Sequence, residues 1–192
     1  MGRNKKLLSN SVVFTVGNLG SKFISFFMVP LYTYAMNTAQ FGKVDLVITT
    51  VNLFLPIATL SLFDAVFRFG MDRGYNPSKV LTSGLLTTLI ISFVILLFSP
   101  VINLLNIAYL YYFLAILVVT SIFTLLQNFS RAIGKSYTYA IAGIVNAFVF
   151  ASLNIYFLIY LKMKVNGYLL SYLLAMTISL IYVFVSLRAW RY

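Results

Sequence analysis

The chain alternates between long apolar runs and short polar stretches. Each run approaches the roughly 20 mostly apolar residues that a helix needs to cross a bilayer. None is built of the short alternating segments that are typical of a membrane β-barrel. The pattern predicts an all-α, polytopic membrane protein in which residues 1–192 form a single bundle of six transmembrane helices. The predicted spans are about 11–36, 44–67, 80–98, 108–129, 137–160 and 167–187.

The composition excludes a soluble fold. Hydrophobic residues make up 61% of the chain and charged residues only 9%. A soluble domain of this composition could not cover its apolar surface with polar side chains, whereas a membrane span requires such a composition.

The charge balance indicates how the spans are oriented. Fourteen Lys and Arg residues face three acidic residues, for a formal net charge of +11. Such a balance is typical of nucleic-acid-binding proteins or of proteins at an anionic membrane surface. Here the basic residues lie at the ends of apolar runs, so we expect a membrane setting and no nucleic-acid partner. Six spans place ten basic residues on the side of the N-terminus and three on the other side, which predicts that both termini are cytoplasmic.

Lys22 is the clearest candidate for a functional residue. It lies about eleven residues into the first predicted span, roughly 16 Å from its start. A charge at that depth costs at least about 2.5–3.5 kcal/mol if it is exposed to hydrocarbon. Polar residues recur with it at steps of three and four, so they share one face of the helix. This stripe faces either a hydrated cavity or a hydrogen-bonding neighbouring helix, and it consists of Ser11, Thr15, Asn18, Lys22 and Ser25.

The second and fifth spans add further candidates. Asn52 lies in the second span, and Asp64 and Arg68 near its end are spaced so that they can form an ion pair. Asn146 in the fifth span either lines a cavity or bonds to another helix. The candidate substrate-binding residues are therefore Lys22, Asn18, Ser25, Asn52, Arg68 and Asn146.

A pattern of small residues in the fifth span predicts close helix packing. Gly143, Ala147 and Ala151 repeat every four residues, and this spacing lets two helices approach each other.

Several kinds of chemistry are excluded because the necessary side chains are missing. The chain has no His, no Cys and no Glu, and its three Asp residues are far apart in the sequence. Histidine acid–base catalysis, cysteine nucleophiles and thiolate zinc sites are therefore not available. We expect neither an enzyme nor a cofactor or metal site, which leaves transport, passive binding and scaffolding.

Four stretches in order along the chain resemble the polysaccharide repeat-unit flippases (Wzx-type) of the MATE-like MOP transporter superfamily. The first contains GSKFISFFMVPLYT at 20–33 and NTAQFGKVD at 37–45. The others are DAVFRF at 64–69, SRAIGK at 130–135 and VNGYLLSY at 165–172.

The resemblance implies that the protein flips undecaprenyl-diphosphate-linked sugar repeat units across the bacterial inner membrane, as in O-antigen and lipopolysaccharide assembly. It implies that Lys22 and Arg68 receive the diphosphate in a central cavity, and that two lobes rock against each other. The partners implied are the lipid-linked oligosaccharide, membrane lipids, a second six-helix lobe or chain, and the polysaccharide polymerase machinery.

The resemblance covers only what is expected of a first lobe, because such transporters usually have twelve or more spans. We therefore expect the chain to be a fragment or a truncated product of a full transporter. Two alternatives are half of a MATE-like small-molecule exporter and a non-transporting membrane scaffold or assembly subunit.

Overall fold

The computed structural model of the protein describes residues 3–72, 74–100 and 108–191, with the side chains of residue 15 and of all described residues from 19 onward. These residues form helices and turns, and no strand occurs among them. Five helices are long and apolar enough to cross a membrane. The prediction of an all-α, polytopic membrane protein is therefore confirmed.

Seven α-helices follow one another in the described part of the chain, and each overlaps a predicted span. The sixth continues as a π-helical turn over Ile155–Tyr160, and a 3₁₀ turn at Ala189–Arg191 follows the seventh. The helices are α1 Arg3–Ala35, α2 Thr38–Ala58, α3 Leu62–Met71, α4 Pro77–Leu97, α5 Leu110–Ala132, α6 Ser136–Asn154 and α7 Lys164–Leu187.

The second predicted span, 44–67, is not one continuous helix. It is divided between α2 and α3 by a break at which Leu60 and Ser61 adopt left-handed backbone conformations, with φ of 49° and 51°. Pro56 lies one turn earlier, inside α2, and its missing N–H leaves the Asn52 carbonyl without its usual helical donor. The Ser61 N–H instead donates to the Pro56 carbonyl at 2.9 Å. The break lies within a long apolar run, so the hydrophobic pattern does not reveal it.

Local capping signals set the starts of two helices. The Asn37 side chain accepts a hydrogen bond from the Gln40 N–H at 2.9 Å, and the Gln40 side chain accepts one from the Asn37 N–H at 3.1 Å. This reciprocal capping box ends α1 and begins α2 within a two-residue turn. Asn76 caps α4 in a related way, with Pro77 in the first turn, where a missing N–H costs nothing.

The core consists of two apolar clusters around α5, which packs against α2, α3, α4, α6 and α7. One cluster lies near the α1–α2 turn and includes Tyr32, Val44, Ile116 and Leu169. The other lies near the α5–α6 turn and includes Val66, Leu81, Phe123, Phe129 and Val183.

Polar side chains interrupt the apolar packing between these clusters. Four helices each place one there, and within the described residues their buried polar atoms have no hydrogen-bond partner. They are the hydroxyls of Thr88, Thr120 and Ser179 and the amide nitrogen of Asn146. Buried polar groups therefore lie near the middle of these four helices.

Close helix contacts occur at Gly84 rather than at the predicted Gly143. A Cβ on Gly84 would lie 2.6 Å from Val66 Cγ2, whereas a Cβ on Gly143 would meet no described atom within 4 Å. Ala147, one turn after Gly143, is buried, and Ala151 packs against the first core cluster. The predicted close packing therefore holds at Ala147 and Ala151, whereas among the described residues Gly143 itself makes no close contact.

Candidate functional site: the cleft between α1 and α2

The first two helices meet at a short turn and then diverge. α1 packs chiefly against α6, whereas α2 packs against α5 and α7. Near the turn the two helices touch through aromatic rings: Tyr32 of α1 stacks on Phe41 of α2, with centroids 6.1 Å apart and planes inclined at 29°. Because their packing partners differ, α1 and α2 are not extensively packed against each other, and helix geometry predicts a cleft between them away from the turn.

Lys22 and Ser25 lie on the side of α1 that borders this cleft. Gly20 lies on the opposite side of α1, which faces α6. A Cβ on Gly20 would lie 4.0 Å from Ile144 of α6. At 3.6 residues per turn, Ser25 is rotated about 20° and Lys22 about 80° from Tyr32 around the axis of α1. Both rotations are in the direction away from Gly20. Lys22 is exposed, and the Ser25 hydroxyl donates to the Ser21 carbonyl at 3.0 Å.

Asn52 lies on the facing side of α2. It is exposed and stands about 20° from Phe41 around the helix, so it borders the same cleft. Lys22 precedes Met36 by fourteen residues, and Asn52 follows Asn37 by fifteen. Both side chains are therefore about 21 Å from the turn along their helices. Helix geometry thus predicts that Lys22, Ser25 and Asn52 border one cleft, with Lys22 and Asn52 at similar distances from the turn.

Asp45 borders the cleft as well, and the reasoning from sequence did not include it. It is exposed on α2, about 40° from Phe41 and seven residues before Asn52. That spacing is close to two helical turns, so the sequence already indicates that Asp45 and Asn52 share a face of α2. The name α1–α2 cleft is used below for the surface formed by Lys22, Ser25, Asp45 and Asn52.

The remaining candidates lie elsewhere or outside the described side chains. Arg68 is exposed on α3, beyond the break and sixteen residues after Asn52, and it forms no ion pair with Asp64. Asn146 lies near the middle of α6, where its amide nitrogen is buried. The side chain of Asn18 is not among those that the structure describes.

The cleft offers one ammonium group, one carboxylate, an amide and a hydroxyl to a ligand. Within the described residues no three His, Cys, Asp or Glu side chains come together as a metal site would require. The arrangement suits a ligand that carries an anionic group and several hydrogen-bonding groups, because Lys22 supplies a charge-assisted donor and Asn52 both a donor and an acceptor.

Comparison with known proteins assigns the chain to a family. No curated protein and no solved structure matches it. A family model described as "Polysaccharide biosynthesis protein" matches residues 7–192, which is nearly the whole chain and includes both walls of the α1–α2 cleft. The chain therefore belongs to the polysaccharide biosynthesis protein family.

Proposed function

We propose that this chain is one lobe of a transporter that flips lipid-linked oligosaccharides, with an undecaprenyl-diphosphate carrier, from the cytoplasmic to the periplasmic leaflet of a bacterial inner membrane. The observation that carries the proposal is the α1–α2 cleft. Helix periodicity predicts that Lys22 and Asn52, both exposed, border this cleft at similar distances from the α1–α2 turn, in a member of the polysaccharide biosynthesis protein family.

The position of Lys22 favours a diphosphate ligand. A cation far from bulk water interacts strongly with an anion, because the effective dielectric constant is low. An unpaired lysine at this depth is costly, and an anionic headgroup that enters the cleft offsets that cost. Hydrogen bonds from an ammonium group to phosphate oxygens are among the strongest that a side chain makes.

The open side of the cleft favours a two-lobe arrangement. Lys22 and Asn52 are both exposed on the surface that the described residues form. Exposed ionisable groups of this kind face a bundle interior or a water-filled cavity in membrane proteins. A second lobe or chain that closes the cleft would complete the cavity, and rocking of the two lobes would open it to either leaflet in turn.

Depletion of the protein in its host tests the proposed function. We expect lipid-linked repeat units to accumulate in the cytoplasmic leaflet, so that the fraction labelled by a membrane-impermeant sugar oxidant on spheroplasts falls while the total amount rises. Re-expression from a plasmid should restore the labelled fraction. An unchanged labelled fraction after depletion would refute the proposal.

The orientation proposed for the lobe has both termini in the cytoplasm. Reporter fusions after Gly134, in the α5–α6 turn, should be active only with a cytoplasmic reporter. Fusions after Lys162, in the α6–α7 turn, should be active only with a periplasmic one. The expectation follows from the excess of Lys and Arg on the N-terminal side. The reverse pattern of activity would show that the chain has the opposite orientation in the membrane.

A further inference from the structure

The α1–α2 cleft ends in a pocket beside the α1–α2 turn. The pocket has a volume of about 340 Å³ and lies between the last turns of α1 and the first turn of α2. Its size is that of a small-ligand site, for which volumes start at about 300 Å³. The name turn pocket is used below for the cavity lined by Val29, Tyr32, Thr33, Met36, Asn37, Thr38 and Phe41.

The lining combines a supported aromatic ring with neutral polar groups. Phe41 is 42% exposed, and its ring is backed by Tyr32, which itself meets Tyr168 of α7 edge-on at 5.1 Å. The aromatic platform is therefore held from behind by the buried Tyr32 and the half-buried Tyr168. Flat apolar rings of this kind stack on the C–H faces of pyranose sugars, which are apolar although the rim of the sugar is polar.

Hydrogen-bonding groups lie at the edge of this platform. Asn37 uses its side-chain oxygen to cap α2, and its amide NH₂ has no partner among the described residues. The Thr38 hydroxyl is exposed and likewise lacks a partner there. Thr33 donates its hydroxyl hydrogen to the Pro30 carbonyl at 2.9 Å, which leaves its oxygen able to accept. The edge thus offers both donors and acceptors to sugar hydroxyls.

The absence of charge in the lining distinguishes this pocket from the rest of the cleft. None of its lining residues is ionisable except the buried Tyr32. A phosphate would find no cation here, whereas a neutral polyol needs none. Thr33 follows Lys22 by eleven residues, so the pocket lies about 16 Å from the lysine along α1. An oligosaccharide of several sugars spans such a distance from its diphosphate, whereas a single sugar does not.

We propose that the turn pocket is a carbohydrate subsite that holds a neutral sugar of the repeat unit on the Phe41–Tyr32 platform, remote from the diphosphate at Lys22. This inference rests on the proposed function and deepens it. The subsite binds through stacking and hydrogen bonds between neutral groups. It therefore binds the sugar chain even when the lipid and the diphosphate are absent.

The test measures the binding of the two ends of the ligand separately. The probes are the lipid-free repeat-unit oligosaccharide, cleaved from the host's own polysaccharide, and undecaprenyl diphosphate without sugar. Binding of each to the purified protein in nanodiscs is measured by saturation-transfer NMR and by competition. Phe41→Leu keeps an apolar side chain but removes the flat ring. Phe54→Leu is the matched control, because Phe54 is also on α2 and is 44% exposed, but its ring meets Phe113 of α5 instead.

We expect Phe41→Leu to weaken oligosaccharide binding about three- to tenfold, the effect of losing one aromatic stacking contact, and to leave binding of undecaprenyl diphosphate unchanged. Asn37→Asp keeps the helix cap, removes the NH₂ donor, and should also weaken oligosaccharide binding. Equal affinities of Phe41→Leu, Phe54→Leu and the wild type for the oligosaccharide would overturn the subsite. Unchanged binding of undecaprenyl diphosphate in Lys22→Ala would instead contradict the proposed function.

Discussion

Replacement of Lys22 by Ala is expected to slow the appearance of repeat units in the outer leaflet about 10- to 100-fold, the effect of losing one hydrogen bond to a charged group. The variant removes the ammonium group at mid-depth in the α1–α2 cleft but leaves the helix intact, because alanine is a good helix former. The measurement is the rate at which external oxidant labels lipid-linked sugars in spheroplasts, normalised to the amount of membrane-inserted protein.

Two further lysine variants make this prediction specific. Lys22→Arg retains the charge and the phosphate-binding donors, so we expect it to keep much of the activity. Lys43→Ala removes an exposed lysine of α2 that lies beside Ala108 and Tyr109, away from the cleft. It should behave like the wild type. Full activity in Lys22→Ala, or an equal loss in Lys43→Ala, would show that the position of Lys22 in the cleft is irrelevant to transport.

Replacement of Gly84 by Ala is expected to destabilise the lobe by about 1–3 kcal/mol, the usual cost of overpacking a core. The new methyl group would lie 2.6 Å from Val66 of α3 and 3.4 Å from Leu125 of α5, both of which are buried. A buried side chain must therefore change its rotamer, or one of the three helices must shift. The measurement is the midpoint of thermal unfolding of the purified protein in a single detergent.

Gly143→Ala is the matched control for this prediction. It makes the same chemical change within a helix, but its methyl group enters open space. Because alanine favours helix over glycine by about 1 kcal/mol, this variant should be as stable as the wild type or more so. Equal unfolding midpoints for the two variants would show that α3, α4 and α5 do not pack as closely at Gly84 as the structure indicates.

The sequence predicts the helical class of the fold well, because each membrane span needs about 20 apolar residues and leaves a run that is hard to miss. It does not predict the break between α2 and α3. That break depends on Pro56 and on the left-handed conformations of Leu60 and Ser61, and it leaves the apolar run uninterrupted. Hydropathy reports which residues prefer lipid but not how the backbone hydrogen bonds are arranged.

The candidate site was predictable only within single helices. The three- and four-residue steps that join Lys22 and Ser25 follow from helix geometry, which also predicts that both border the cleft. The pairing of α1 with α2 depends on contacts between distant residues, such as Tyr32 with Phe41, that no local period reports. For the same reason the sequence does not distinguish Asn146 from Asn52. The amide nitrogen of Asn146 is buried near the middle of α6, whereas Asn52 is exposed on α2 and is predicted to border the cleft.

Photo-crosslinking from single positions is the most direct test of the claim that the α1–α2 cleft binds the lipid-linked sugar. A photoreactive amino acid is placed at Ser25 or Asn52 in the cleft, and at Phe93 of α4 or Ile181 of α7, which are exposed apolar positions on the two helices. The protein is then irradiated in membranes that contain radiolabelled repeat-unit lipid. We predict labelled adducts from Ser25 and Asn52, and only phospholipid adducts from Phe93 and Ile181. Equal labelling at all four positions would contradict a binding site in the cleft.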